Sequence, residues 1–64
     1  MLKGEIVTNI YKLCKNKNAL RCSLKTILDT AGKYYTKEEL NTLYQDVIKG
    51  RIKPEVALNN ILEL

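Results

Sequence analysis

The chain has no histidine, no tryptophan and no phenylalanine, and only two cysteines, three glycines and one proline in 64 residues. Without histidine it lacks the side chain that ordinarily titrates near neutral pH, and with it the usual general base. A nucleophilic thiol would have to draw its activation from a lysine or from Arg21. Gly4, Gly32 and Gly50 are isolated from one another, so no glycine-rich loop cradles a phosphate. Two thiols without an imidazole cannot complete a tetrahedral zinc set within one chain, although four thiols shared by a dimer could. Glu38 and Glu39 are adjacent and so point in different directions on a helix. These absences predict a non-enzymatic protein with no metal, no cofactor and no small-molecule substrate.

Long apolar runs are also missing. Nothing approaches the roughly 20 residues needed to cross a bilayer. Glu5, Asn9 and Lys12 interrupt any apolar N-terminal segment of the signal-peptide kind. The expected address is therefore cytoplasmic, with no membrane insertion, where disulfides are rare. The aromatics are four tyrosines, Tyr11, Tyr34, Tyr35 and Tyr44, which leaves Leu, Ile, Val and Ala to build the core.

What is present favours helices. The apolar share of 45% is that of a folded globular chain. A chain this short buries only about 60% of its unfolded surface, so its stability gains from any partner or cross-link. The clearest local signals lie between Tyr35 and Leu64. Thr36-Lys37-Glu38-Glu39 is a capping box, and Tyr35 and Leu40 are spaced as a hydrophobic staple around it. Gly50 supplies the left-handed residue that closes a helix. Lys53-Pro54-Glu55 opens another, with proline at the first helical position and an acid in the first turn.

Apolar spacing predicts four helices in one small domain spanning residues 1–64. The first covers about Leu2 to Lys15, with Ile6, Val7, Ile10, Leu13 and Cys14 on one face. The second covers about Ala19 to Ala31, capped by Asn18 and stopped by Gly32, with Leu20, Leu24, Ile27, Leu28 and Ala31 as its stripe; Ser23 is the cap of an alternative, shorter version. The third covers about Lys37 to Lys49 and carries Leu40, Leu43, Tyr44, Val47 and Ile48. The fourth covers about Pro54 to Glu63 and carries Ala57, Leu58, Ile61 and Leu62. No stretch alternates with period two, so no strand is expected. The fold class is all-α, a compact bundle of three to four short helices. Leu2, Tyr11, Ile52, Val56 and Leu64 lie outside the main faces.

Charge is unevenly placed. The net charge is +4, but residues 1–33 carry seven cations against two anions, and residues 34–64 carry four against five. Lys12, Lys15, Lys17, Arg21 and Lys25 cluster around the polar turn Asn16–Asn18. Such a cluster suits phosphates or an acidic partner and reads no base sequence; it also suits a plain solvated turn. A helix-turn-helix is a further reading, with Lys37, Asn41, Thr42 and Gln45 facing outward from the third helix. Glu38 and Glu39 at its N-terminus repel phosphates. Cys14 and Cys22 flank the polar turn, where a helical hairpin would bring them face to face; they are either a short-loop disulfide or two small buried hydrophobes.

The run Leu24 to Leu43, with Lys33-Tyr34-Tyr35-Thr36-Lys37-Glu38-Glu39-Leu40 followed by Leu43-Tyr44, resembles the middle of the Hha/YmoA group of nucleoid-associated modulators. The resemblance implies a small all-helical protein that binds a DNA-silencing partner. The acidic-His-Arg signature of that group is replaced here by Gln45-Asp46-Val47-Ile48-Lys49-Gly50-Arg51, and its C-terminal tail is absent.

Two functional expectations follow. One is a regulatory module that binds a protein partner, or itself as a homodimer, through surplus apolar residues near Tyr11, Ile52 and Val56; ionic strength should barely weaken it. The other is a nucleic-acid binder using Lys12, Lys15, Lys17, Arg21 and Lys25, with affinity that falls steeply with salt.

Overall fold

A computed structural model describes residues 2–63. Within them the order is α1 (Lys3–Leu13), a single 3₁₀ turn (Lys17–Ala19), α2 (Leu24–Tyr34), α3 (Lys37–Ile48) and α4 (Pro54–Ile61), with no strand among the described residues. The all-α class is as expected. Leu64 lies outside the described residues.

α1 is the central helix. It contributes Ile6, Val7 and Ile10 to the core, with Cys14 buried just past its end, and it packs against α2, α3 and α4. Ile27 and Ala31 meet it from α2, Leu40 and Val47 from α3, and Ala57, Leu58 and Ile61 from α4. Among the described residues no polar or charged residue is buried, so the core side chains hold by apolar burial.

The local signals around α3 act as the sequence predicts. Thr36 Oγ1 accepts the N–H of Glu39 at 3.1 Å, and Glu39 Oε1 accepts the N–H of Thr36 at 2.8 Å. Gly50 closes the helix with φ 76°. The Arg51 N–H reaches the Asp46 carbonyl at 2.9 Å and the Gly50 N–H reaches Val47 at 3.1 Å, the two bonds of a Schellman motif. An ion pair between Arg51 and Asp46 at 3.8 Å takes the place of the apolar contact that often accompanies this motif. Pro54 opens α4 at its first turn.

Elsewhere the boundaries move. α1 stops at Leu13 rather than near Lys15, because Cys14 turns extended and its N–H bonds back to Tyr11. α2 does not begin after Asn18; residues 17–19 make one 3₁₀ turn, and Ser23 is the true cap, its Oγ accepting the Thr26 N–H at 3.4 Å. Nor does Gly32 stop α2. The helix runs through it to Tyr34, and its carbonyl accepts Lys3 Nζ at 3.3 Å. Of the residues placed on the apolar helix faces, Leu13 at 44% and Ile48 at 56% are the exposed exceptions. Leu13 sits on the last turn of α1, at the edge of the stripe, where the chain departs toward the 3₁₀ turn.

Candidate interaction surface

The 3₁₀ turn and its flanks are held from below by one face of α4. Glu55 and Asn59 recur at the i, i+4 spacing of one helical stripe, and Glu63 follows two residues beyond the end of α4. Glu55 Oε1 accepts the N–H of Lys15 at 2.9 Å, Asn59 Oδ1 accepts the N–H of Arg21 at 2.9 Å, and Asn59 Nδ2 donates to the carbonyl of Ala19 at 3.1 Å. Glu63, past the helix end, adds an ion pair to Arg21 Nη1 at 3.2 Å. The long link between α1 and α2, exposed apart from Cys14 and Leu20, is thus a strap clamped at Lys15, Ala19 and Arg21. The spacing of these three polar residues was visible in the sequence; that they face the strap was not.

This arrangement divides the five basic residues of the expected patch. Lys17 folds back from the 3₁₀ turn onto the end of α1: Nζ lies 5.1 Å from the Tyr11 ring centroid and donates to the Cys14 carbonyl at 3.3 Å. There it caps the C-terminal end of α1, where a cation interacts favourably with the helix dipole. Arg21 is paired with Glu63. Lys12, Lys15 and Lys25 present exposed side chains. The start of α2 at Leu24 also moves its N-terminal amides well along the chain from Lys15 and Lys17.

The three apolar candidates divide as well. Tyr11 is half-buried beneath Lys17, and Ile52 is half-buried against the core at the corner between α3 and α4, so the fold has absorbed both. Val56 remains 45% exposed. Sequence reasoning missed two further exposed apolar side chains, Leu13 at 44% and Ile48 at 56%. Leu13 lines an open depression of about 410 Å³ together with Lys15, Lys53, Pro54 and Glu55. The depression lies between the C-terminal end of α1 and the first turn of α4, directly before Val56. Leu2 and Tyr34 are exposed elsewhere, where the N-terminal end of α1 meets the C-terminal end of α2.

Cys14 and Cys22 are free thiols, the first buried and the second exposed. The facing positions of a helical hairpin do not arise, because Cys22 lies in the strap before α2 rather than on a helix. Burial pushes the Cys14 thiol above its ordinary pKa. The charge of the neighbouring Glu55 carboxylate pushes the same way, Lys17 pulls against it, and the thiol itself donates to the Ile10 carbonyl at 3.6 Å. The thiol is therefore a neutral core side chain, the opposite of an activated nucleophile.

α3 does turn Lys37, Asn41, Thr42 and Gln45 outward. However, α2 and α3 make at most marginal contact with each other and meet through α1. A helix-turn-helix needs its two helices braced together. Among the described residues no group of three or more metal-ligating side chains converges, and no helix is long and apolar enough to cross a membrane.

No family model, no curated protein and no solved structure matches this chain.

Proposed function

We propose that this chain is a small non-enzymatic regulatory protein that acts by binding a protein partner at the end of the molecule where α1 stops and α4 starts. The observation that carries the reading is the placement of the exposed apolar side chains. Leu13, close to half exposed, lines an open depression against Lys53, Pro54 and Glu55, and the next residue of α4, Val56, is close to half exposed as well. Single exposed apolar residues are ordinary, but apolar side chains gathered at a concave site mark an interface. The Glu55 and Asn59 bonds to the strap hold this end in one shape, which lowers the ordering cost of binding.

Direct nucleic-acid binding through Lys12, Lys15 and Lys25 is the second reading, supported by their exposed ammonium groups. The carboxylates of Glu55 and Glu63 stand within the same surface and weaken it as a phosphate track.

A photo-crosslinking residue placed at position 56, compared with one at exposed Lys37 on α3, tests the proposal in the native host. A discrete protein adduct from position 56 and none from 37 is the expected result, and an adduct between two copies of the chain identifies a homodimer. Equal or absent crosslinking at both positions would overturn it. So would a chain that light scattering finds bound to a mixed-sequence duplex at moderate salt, with binding lost on Lys12, Lys15 and Lys25 to Ala.

A further inference from the structure

The chemistry of the depression restricts what it can hold. Its apolar wall is Leu13 and the Pro54 ring, and its cationic rim is Lys15 and Lys53. Both lysines are exposed, and among the described residues neither ammonium has a hydrogen-bond or ion-pair partner, in contrast to Lys17 and Arg21. The one acid in the wall, Glu55, is half-buried and spends an oxygen on the Lys15 N–H rather than on either ammonium. Two unquenched cations therefore flank an apolar seat. Lys49 and Arg51 add positive charge along the corner that leads to Lys53, with only Asp46 paired against Arg51.

We propose that this depression receives an acidic amphipathic segment of a partner protein. An apolar side chain of the segment packs on Leu13 and Pro54, while carboxylates beside it face Lys15 and Lys53. The inference rests on the protein-binding reading above and adds the partner's chemistry. Apolar anchors set between charges of one sign are the mark of an amphipathic segment laid in a groove. Opposed charge across the rim raises the encounter rate and excludes basic competitors. A phosphate backbone fits the seat less well, because it would set its charge against Leu13 and Pro54 and next to the Glu55 carboxylate.

The test is a titration of the isotope-labelled protein followed by amide chemical shifts. The probes are a synthetic peptide of alternating leucine-rich and glutamate-rich helical faces, its lysine-for-glutamate counterpart, and a mixed-sequence DNA duplex. The acidic peptide should shift the amides of Leu13, Lys15, Lys53 and Glu55 saturably, and raised salt should weaken it several-fold. Lys15→Glu with Lys53→Glu should weaken it by about tenfold or more, and Leu13→Ser should weaken it without changing its salt dependence. Circular dichroism confirms that each variant is folded; all three side chains are exposed. Equal or tighter binding of the basic peptide, or shifts that map away from these residues, would overturn the proposal. So would tighter binding of the duplex to the same residues. If the acidic peptide fails while the position-56 adduct persists, the partner's chemistry is wrong and the protein-binding reading stands; if both fail, both fall.

Discussion

Asn59 Oδ1 accepts the backbone N–H of Arg21 at 2.9 Å, and the same amide donates through Nδ2 to the carbonyl of Ala19 at 3.1 Å. One side chain on α4 thereby satisfies a donor and an acceptor of the strap, some forty residues earlier in the chain. This contact does for the strap what a second helical turn would have done locally. It holds residues 19–21 out of α2 and leaves Ser23 to start the helix.

Replacing Asn59 with Ala removes both bonds and leaves two half-exposed backbone groups to find water. The expected cost is about 1–2 kcal/mol. Asn59→Asp keeps the acceptor toward Arg21 but sets an oxygen against the Ala19 carbonyl, and it should also be destabilising. Glu63→Gln, which breaks an exposed ion pair, should cost less than about 0.5 kcal/mol. Urea unfolding midpoints at an unchanged slope rank the three. A Glu63 variant as damaging as the Asn59 variants would mean that the strap is held by charge rather than by the amide.

The contrast between the two ends of the chain explains how much the sequence could show. The limits of α3 and the start of α4 rest on contacts within a few residues: Thr36 with Glu39, Arg51 with Asp46, Pro54 at a first turn. Such contacts are written in the local order of residue types. The start of α2 is not. Asn18 and Ser23 are both competent caps, and Asn59, far downstream, decides between them. The surface follows the same division. Composition shows that the N-terminal half is basic, but which cations are free depends on the folded chain, since distant Glu63 takes Arg21 and the end of α1 takes Lys17. Leu13 belongs to the apolar stripe by periodicity and is exposed because its helix ends there.

Gly32 and Gly50 should respond to alanine with opposite signs. Gly50 has φ 76°, which a residue with a Cβ adopts only at a cost of about 1 kcal/mol. Gly32 lies within α2, and a Cβ built there meets nothing within 4 Å. Gly32→Ala should stabilise by about 0.5–1 kcal/mol, by restricting the unfolded chain and favouring the helix. Thermal melts of the two variants check this. Destabilisation by Gly32→Ala would mean that α2 ends at Ala31, as the apolar pattern alone suggests.

The cysteines should differ sharply in reactivity. At neutral pH an aromatic disulfide reagent should modify exposed Cys22 at once, and Cys14 only as fast as the fold opens. The raised pKa of Cys14 also sets a sign. As pH climbs through the ordinary thiol value of about 8.5, the unfolded chain releases the Cys14 proton while the folded chain keeps it. The unfolded state then binds fewer protons, so this group leaves stability unchanged below that pH and lowers it above. Stability measured from neutral to alkaline pH should fall more steeply in the parent than in Cys14→Ala. Glu55→Gln should lessen the excess, since the carboxylate is one of its causes.

Lys17 is where the structural and the nucleic-acid readings of the basic cluster make different predictions for one residue. Its ammonium lies over the Tyr11 ring and donates to the last turn of α1, so it stabilises the fold through a cation–π contact and a charged hydrogen bond at a helix C-terminus. Lys17→Ala should therefore cost about 0.5–1.5 kcal/mol. Lys25→Ala, whose side chain is exposed in the first turn of α2, should be neutral or slightly stabilising, since a cation there opposes the helix dipole. A phosphate-binding cluster makes the reverse demand: both variants should leave stability alone, and each should reduce the salt slope of duplex binding by about one. Unfolding curves and duplex titrations on the same two variants separate the cases. Equal stability with equal loss of duplex affinity would return Lys17 to the basic patch.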